Sequence, residues 1–180
     1  MFRCQLRPGL DLRLLEERHA AEVFALVDRD RDYLREWLPW VDATHTEDDT
    51  LSFIRSSLER FGSNNGFAAG IWNQGQFCGV IGTHKIDWLN RRVEIGYWLS
   101  RESQGQGIVT EACRAIITHA FEELDLHRVD IHCGAGNEKS AAVPKRLGFK
   151  LEGTLGEALL LHGVYHDLLV FGMVKPEWKG

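Results

Sequence analysis

The chain has 180 residues, of which 44% are hydrophobic and 26% charged, and its formal net charge is −5 at pH 7. This composition is typical of one globular domain, residues 1–180, with enough apolar residues for a substantial core. It excludes a general nucleic-acid binder, which would need a basic face, and no apolar run approaches the roughly 20 residues of a membrane span.

The first part of the chain predicts one strand followed by helices. Leucines at positions 10, 12 and 14 alternate with polar residues, which is the period of a strand. Helical spacing then appears at Ala20, Val23, Phe24 and Val27, at Leu34, Trp37 and Leu38 before Pro39, and at Leu51, Ile54, Leu58 and Phe61 behind a Thr46/Asp49 cap.

From residue 67 the apolar period changes from helical to extended. Residues 67–72 and 77–86 predict a hairpin, and residues 92–99 predict a third antiparallel strand. Three consecutive antiparallel strands are incompatible with a doubly wound parallel sheet.

Residues 93–124 predict a strand, a glycine-bearing turn and a long helix. The apolar face of the helix is formed by Val109, Ala112, Cys113, Ile116, Ile117, Ala120, Phe121 and Leu124. In the turn, Gly105 and Gly107 allow backbone N–H groups to point at an anion such as a pyrophosphate, next to the free N–H groups of the first helical turn. The alternative is that the glycines only make a tight turn.

Two common phosphate motifs do not fit this sequence. A Rossmann fingerprint requires a third glycine where Thr110 stands, and an early place in a βαβ unit. The stretch from Gly134 to Ser140 resembles a Walker loop, but Glu138 stands where a glycine must precede the lysine.

The last part of the chain predicts the rest of the sheet. Residues 127–133 form a strand parallel to the one at residue 93, because a helix connects the two. A short helix from Ser140 to Leu147 stops at Gly148, and strands at 149–154, 158–161 and 164–174 follow. The expected fold is α+β, with a mixed, mostly antiparallel sheet, helices on both faces and one parallel strand pair.

The glycine turn, Glu102-Ser-Gln-Gly105-Gln-Gly107, resembles the acyl-CoA loop Q/R-x-x-G-x-G/A of the GNAT superfamily of N-acetyltransferases, with Glu102 in place of the usual Gln or Arg. Glu94-Ile-Gly-Tyr-Trp-Leu99 and Ile108-Val-Thr-Glu-Ala112 resemble the RimJ/RimL branch, which acetylates the N-termini of ribosomal proteins. The resemblance covers nearly the full chain. It implies that the parallel strands splay apart to admit the pantetheine arm of acetyl-CoA.

The resemblance also implies an acetyl-CoA site. Its expected members are Trp98, Leu99 and Ser100 by their backbones for pantetheine, Gln104, Gly105, Gln106, Gly107, Ile108, Val109 and Thr110 for the pyrophosphate, and Asn137 for the arm. Asn137 also suits a helix cap, so at this level both roles stay open.

Two residues are the candidates for catalysis. Pro144 stands where many members of the superfamily have the tyrosine that protonates the departing thiolate. The resemblance to the RimJ/RimL branch implies that Ser140 takes this role instead. The alternative is that Ser140 only caps the helix. Strand alternation places Glu94 beside Gly96, which leaves room for a ligand. Glu94 is therefore the expected general base, acting through water, with a solvent-facing ion-paired carboxylate as the alternative.

The expected acceptor-binding residues are Tyr33, Trp37, Trp40 and His84. His84 is also the reserve candidate for the base, and for Trp37 a place in the aromatic core is the alternative. His162 and His166 lie on a predicted hairpin without a third ligand at a convincing spacing, so no metal is expected.

The four cysteines form no CxxC pair. Cys78, Cys113 and Cys133 fall inside apolar strand or helix patterns, so we expect them to be reduced core residues. Since the N-terminus has no hydrophobic signal core either, we expect a cytoplasmic protein.

These features predict an acetyl-CoA-dependent N-acetyltransferase that transfers the acetyl group directly to a primary amine. The preferred acceptor is the N-terminal amine of a ribosomal or other protein, because an α-amine with a pKa of about 8 needs less help than a lysine of about 10.4. The alternatives are a small amine, such as a polyamine, amino acid or antibiotic, and a non-catalytic CoA-binding regulatory module. The oligomeric state is open, and a homodimer is one option.

Overall fold

The computed structural model describes residues 3–180 and contains one mixed sheet with helices on both faces. Its strands are β1 (Arg3–Arg7), β2 (Leu10–Leu14), β3 (Ala68–Asn73), β4 (Gln76–Thr83), β5 (Arg92–Leu99), β6 (Arg128–Gly134), β7 (Lys150–Leu161) and β8 (Val164–Val174). Its helices are α1 (Ala20–Arg29), α2 (Arg31–Leu34), α3 (Glu47–Gly62), α4 (Ile108–Glu122) and α5 (Glu138–Arg146). The strand order is β1-β2-β3-β4-β5-β6-β8-β7.

The predicted α+β class with one parallel strand pair is confirmed, and three elements differ from expectation. Strand β1 was not predicted, because only Cys4 and Leu6 of its five residues are apolar and most of its side chains are exposed. The two strands expected at 149–161 are the single strand β7, interrupted by bulges. The helix expected at Leu34–Leu38 ends at Leu34, and Pro39 begins a separate 3₁₀ turn, because proline is favoured at the first helical position.

Two apolar cores lie on opposite faces of the sheet. On one face α4 buries the side predicted from its periodicity, including Cys113, Ile117 and Phe121, against β5 and β6. On the other face α1 and α3 pack with Trp72 and Val80 of the sheet. The threonine and aspartate predicted to cap α3 form a capping box, in which Asp49 Oδ2 accepts the Thr46 N–H at 2.9 Å.

The parallel strands β5 and β6 pair over only part of their length. Their register is Arg92↔Arg128, Val93↔Val129 and Glu94↔Asp130, and beyond Glu94 they are no longer paired. The other strand pairs within residues 3–180 are antiparallel. The separation leaves a cleft in the middle of the sheet, which is the splayed strand pair expected from the sequence.

Asp30, between α1 and α2, fastens the segment that follows β5. Its carboxylate accepts hydrogen bonds from Arg29 Nε at 3.0 Å and from the backbone N–H of Arg101 at 2.8 Å. Burial by itself would raise the pKa of Asp30, but these hydrogen bonds outweigh it and hold the pKa below its usual value. The carboxylate is therefore ionised at neutral pH and ties the glycine turn to the helices.

Asp30→Asn should lower the free energy of unfolding by about 1–3 kcal/mol at neutral pH, because a neutral amide replaces a buried carboxylate that holds two donors. A group with a lowered folded-state pKa stabilises the fold above its unfolded pKa, about 3.9 for Asp, and this contribution is lost as the pH falls through the lowered value. In urea unfolding, the difference in the free energy of unfolding between variant and wild type should become smaller below about pH 4. The control is Asp28→Asn, which changes an exposed carboxylate near the end of α1. A difference in unfolding free energy for Asp30→Asn that persists in acid would contradict the role of the ionised Asp30.

Candidate functional site

Two cavities open into the cleft between β5 and β6. One, of about 860 Å³, lies between α2, the glycine turn and α5. The other, of about 620 Å³, lies between α3, residues 37–44 and the face of β4, β5 and β6. Both are lined by Trp37, Leu38, Tyr97, Trp98, Asn137 and Ser140. A group that enters through one cavity can therefore meet a group that enters through the other.

The first cavity, which we call the cofactor cavity, is lined by the glycine turn, residues 103–107. Within residues 3–180, the backbone N–H groups of residues 104–110 donate to no protein acceptor. Gly105 and Gly107 have φ angles of 73° and 74°, which strain any other residue, and an added Cβ at Gly105 would meet no atom within 4 Å. Conformation rather than packing requires these glycines, and the free N–H groups form a cradle that fits a diphosphate.

Basic side chains surround this cradle. Lys139 Nζ donates to Gln104 Oε1 at 2.9 Å, and the amide of Gln104 donates to the hydroxyl of Tyr33. The guanidinium of Arg101 lies 5.1 Å from the centre of the Tyr33 ring. Arg146 lines the same cavity and donates to Thr110 Oγ1 at 2.6 Å. Although the net charge of the chain is negative, cations lie around the cradle, where they would attract phosphates.

Backbone pairing changes the contacts predicted for β5. The His84 N–H donates to the Glu94 carbonyl at 2.9 Å and the Ser100 N–H donates to the Cys78 carbonyl at 2.8 Å. In an antiparallel ladder the hydrogen-bonded pairs recur at every second residue, so Trp98 also directs its N–H and C=O at β4. The backbones of Tyr97 and Leu99 face the cleft instead.

The structure places three of the predicted cofactor contacts differently from the free backbone groups of the cleft. Ser100 is 2% exposed and lies outside both cavities, its N–H donates to the Cys78 carbonyl, and its own carbonyl accepts the Ser103 N–H. Trp98 lines both cavities with its side chain but has its backbone engaged with β4. The hydroxyl of Thr110 accepts from Arg146 and Thr110 does not line the cofactor cavity, so only its backbone N–H is left for a pyrophosphate. Tyr97, which the sequence did not indicate, has its backbone on the cleft side together with Leu99.

Ser140 lies where the two cavities join, at the start of α5. The Asn137 Oδ1 accepts the Ser140 N–H at 3.0 Å, so Asn137 caps the helix while it also lines both cavities. The Ser140 hydroxyl donates to Tyr97 Oη at 3.3 Å, and the Tyr97 hydroxyl donates to the Ser140 carbonyl at 3.1 Å. Burial raises the pKa of Tyr97, so its phenol keeps its proton.

Pro144 explains why Tyr97 can hold Ser140. A residue at this position of α5 would normally donate its N–H to the carbonyl four residues earlier, which is that of Ser140, but proline has no N–H. The Ser140 carbonyl is therefore left for the Tyr97 hydroxyl. Pro144 takes the place of the tyrosine of the usual mechanism. The carbonyl that it leaves without an N–H donor is the one that binds Tyr97, from β5, at the junction. A proline four residues after Ser140 is the signal that could have indicated this.

The second cavity, which we call the acceptor cavity, holds Glu94 between two histidines. Glu94 Oε2 lies 3.2 Å from His132 Nδ1, and Oε1 lies 3.8 Å from His84 Nε2. Burial would raise the pKa of Glu94, but the hydrogen bond and charge of His132 outweigh it and lower the pKa. The same hydrogen bond raises the pKa of His132. His132 was not indicated by the sequence, because its closeness to Glu94 depends on the register of β5 and β6.

The predicted aromatic residues divide between the two cavities. Tyr33, predicted to contact the acceptor, lines the cofactor cavity and not the acceptor cavity. Trp37 lines both, and its ring lies where an added Cβ at Gly134 or Gly136 would come within 2.8 or 2.9 Å. Trp40 and His84 line the acceptor cavity, as expected for contacts with an acceptor.

His162 and His166 make contacts within the protein. His162 Nε2 lies 2.8 Å from the Arg35 carbonyl, and the His166 ring meets the edge of Trp37 at 6.5 Å between centroids. Among residues 3–180 no group of three or more side chains could hold a metal ion. Over the same residues, no helix is long and apolar enough to cross a membrane.

Comparison with known proteins shows the family. Residues 10–150 match the family model described as "Acetyltransferase (GNAT) domain", so the chain belongs to the GNAT acetyltransferases. It is 40% identical over 181 residues to YdaF of Bacillus subtilis (strain 168), provisionally named a ribosomal N-acetyltransferase, with 100% of this chain and 99% of YdaF covered. It is 31% identical over 166 residues to the ribosomal-protein-serine acetyltransferase of Escherichia coli (strain K12), covering 92% and 93% of the two chains.

A solved structure supports the same branch and the cofactor. RimL, described as a ribosomal L7/L12 alpha-N-protein acetyltransferase in complex with coenzyme A, superposes with a TM-score of 0.93 and 28% identity over 96% of this chain and 97% of that one. The predicted RimJ/RimL-like resemblance is confirmed. The protein is an N-acetyltransferase that uses acetyl-CoA as its co-substrate.

Gly107→Glu should weaken CoA binding about 100-fold or more. A carboxylate in the cradle repels the phosphates, and its side chain takes their place. The strain of the left-handed region, about 1–2 kcal/mol, is present with and without CoA and therefore lowers stability rather than affinity. Isothermal titration calorimetry measures the effect.

Gly163→Glu is the matched control, because Gly163 has a similar φ of 80° with no atom within 4 Å of an added Cβ and lies outside both cavities. It should lose stability without losing CoA affinity. An affinity for Gly107→Glu within about twofold of wild type would argue against the cradle.

Proposed function

We propose that the protein transfers the acetyl group of acetyl-CoA directly to the N-terminal amine of a protein, such as a ribosomal protein. The observation that carries this proposal is the junction of the two cavities at Ser140, where a thioester from one side meets an amine from the other. Holding two reactants in this way can contribute about 7–11 kcal/mol to the barrier reduction. The names of YdaF, of the E. coli relative and of RimL point to the same kind of acceptor.

In this proposal the protein holds acetyl-CoA mainly through its backbone. The N–H groups of residues 104–110 bind the pyrophosphate, with the cations of Arg101, Lys139 and Arg146 nearby. The backbones of Tyr97 and Leu99 bind the pantetheine amides along the edge of β5, as a strand would bind. The Nδ2 of Asn137 is a further donor to the arm, since its Oδ1 is used by the cap.

Ser140 is the proposed hydrogen-bond donor to the sulfur that leaves. Its hydroxyl lies at the junction of the cavities, and its single O–H, which donates to Tyr97 Oη in the free protein, turns to the sulfur once acetyl-CoA is bound. It also lies beside the thiol of Cys133, where burial raises the pKa and the Ser140 hydroxyl offsets part of that rise. Since an aliphatic hydroxyl is a weak acid, Ser140 lowers the cost of the developing thiolate by donation or proton relay.

The charges of the acceptor cavity favour a protein N-terminus over a polyamine. Its acidic side chains are Asp49 and Glu94. Asp49 Oδ2 accepts the N–H groups of His45 and Thr46, and Glu94 is engaged with histidines. A polyamine would bring several ammonium groups to a cavity without uncommitted carboxylates. The wall also includes apolar residues, among them Phe53, Phe67, Leu159 and Leu168, that suit the side chains of a peptide.

An acceptor panel tests the proposal. Thiol release from acetyl-CoA is followed with peptides that carry a free N-terminal amine, the same peptides with a blocked N-terminus and an internal lysine, and polyamines. We expect the free-amine peptides to have a kcat/KM at least about tenfold above the others, since their amine is partly neutral at pH 7. Preference for a polyamine would contradict the acceptor, and absence of turnover with retained acetyl-CoA binding would indicate a non-catalytic module.

Ser140→Ala should lower kcat about 10–100-fold and change the Kd for CoA little, because the hydroxyl acts on the leaving sulfur rather than on the bound cofactor. Tyr97→Phe should give a smaller loss, since it removes only the group that positions Ser140. Steady-state kinetics and calorimetry measure both. The control is Ser52→Ala, whose hydroxyl bonds to the Asp48 carbonyl on exposed α3; equal kcat for Ser140→Ala and this control would remove Ser140 from the chemistry.

We also infer that the protein works in the cytoplasm. The supporting observation is that Cys78, Cys113 and Cys133 are buried free thiols, which is typical of a reducing compartment. A homodimer stays a prediction, which light scattering of the purified protein tests.

A further inference from the structure

We propose that His132 is the group that takes the proton from the acceptor amine, and that Glu94 holds His132 in position rather than acting as the base itself. The proposal rests on the acceptor cavity assigned above and deepens its chemistry. The observation that carries it is the pairing of Glu94 Oε2 with His132 Nδ1 at 3.2 Å, on adjacent strands at the start of the cleft.

The pairing sets the tautomer of His132. A neutral imidazole that donates its Nδ1–H to a carboxylate has its acceptor lone pair on Nε2. Over residues 3–180, the His132 Nε2 has no hydrogen-bond partner, and the side chain lines the acceptor cavity with 26% of its surface exposed. This is the arrangement in which a carboxylate orients a histidine base and stabilises its charged form.

His132 also lies close to the junction of the cavities. It comes two residues after Asp130, the last residue of β6 that pairs with β5, so it stands where the strands separate. His132 and Ser140 both line the acceptor cavity. A base at His132 and a donor at Ser140 thus flank the region where the amine and the thioester meet.

The other two candidates fit less well. Glu94 carries a lowered pKa, which makes it a weak acceptor for the proton of an amine with a pKa of about 8. His84 is 62% exposed, and its Nε2 lies 3.8 Å from Glu94, beyond hydrogen-bond distance, so no carboxylate fixes its tautomer.

The surroundings of His132 favour its charged form moderately. The charged or titratable neighbours are Glu94 from β5, His84 just after β4, Asp130 and Arg128 on its own strand, and Asp49 and Arg60 from α3, which line the same cavity. Arg128 is paired with Asp130 and with Glu152, each at 2.5 Å. From β8, the residue opposite His132 is the apolar Val170. Glu94 is the largest influence, and it raises the pKa of His132.

The step balances without any further reactant. The amine nitrogen forms a bond to the carbonyl carbon of the thioester and gives its surplus proton to His132 Nε2, directly or through one water. The C–S bond breaks, and the thiolate takes up a proton from solvent that the Ser140 hydroxyl relays, so that Ser140 ends with its own proton restored. The imidazolium then loses its proton to solvent through the open acceptor cavity.

The test compares pH profiles of kcat for wild type, His132→Gln, Glu94→Gln and His84→Gln with the best acceptor of the panel. We expect His132→Gln to lose about 100-fold or more in kcat, together with the acidic limb of the profile, while its CoA affinity stays unchanged. Glu94→Gln should keep the limb but move it to lower pH, because removal of the negative charge lowers the pKa of His132. His84→Gln should keep the acidic limb of the kcat profile, and any loss should fall on the KM for the acceptor, because His84 lines the acceptor cavity without taking the proton.

A second measurement does not depend on the acceptor. NMR titration of the imidazole C–H signals of the free protein, assigned by the signal missing in His132→Gln, should give His132 a pKa above its usual value in wild type and a lower pKa in Glu94→Gln. Equal His132 pKa in both proteins, or an acidic limb retained in folded His132→Gln, overturns the proposal. If polyamines are the better acceptors, the acceptor assignment fails while the variant series still decides the role of His132.

Discussion

The separation of β5 from β6 after three residue pairs is the constraint on which the site depends. Backbone groups in the middle of a sheet normally find partners in the next strand, and here those of Tyr97 and Leu99 face a cleft instead. The glycine turn follows β5 and α5 follows β6, so the same separation places the free N–H groups of residues 104–110 and Ser140 at its two sides. The Tyr97 hydroxyl crosses the cleft to the Ser140 carbonyl that Pro144 leaves free.

The two cavities differ in how their charged groups are used. Lys139 and Arg146 contact residues of the glycine turn and of the start of α4, whereas Glu36 and Glu138 line the same cofactor cavity, so the positive charge is local to the turn. In the acceptor cavity, Glu94 stays ionised because the hydrogen bond from His132 outweighs its burial. In our proposal the phosphates bind at the turn, and the histidine held by Glu94 meets the amine from the other cavity.

Much of the fold could be predicted from local patterns, because α4, the β3–β4 hairpin and the cap at Thr46 are determined by residues close in sequence. Strand β1 was missed because the alternation of Cys4 and Leu6 is short and most of the strand is exposed. The site was predicted less completely, since its contacts depend on register. The pairing of β5 with β4 determines which backbone groups face the cleft. It directs the N–H of Ser100 at β4, away from the cleft. The nearness of His132 to Glu94 follows from how β6 pairs with β5, and alternation within one strand carries no information about that.

The central claim is that free backbone N–H groups along the cleft bind CoA, and amide NMR during a CoA titration tests it most directly. The account predicts large chemical-shift changes for the N–H groups of Leu99 and of Gln106 to Val109, with little change at Trp98, whose N–H is bonded to β4. Equal shifts at Trp98 and Leu99, or an unperturbed glycine turn at saturating CoA, would contradict it.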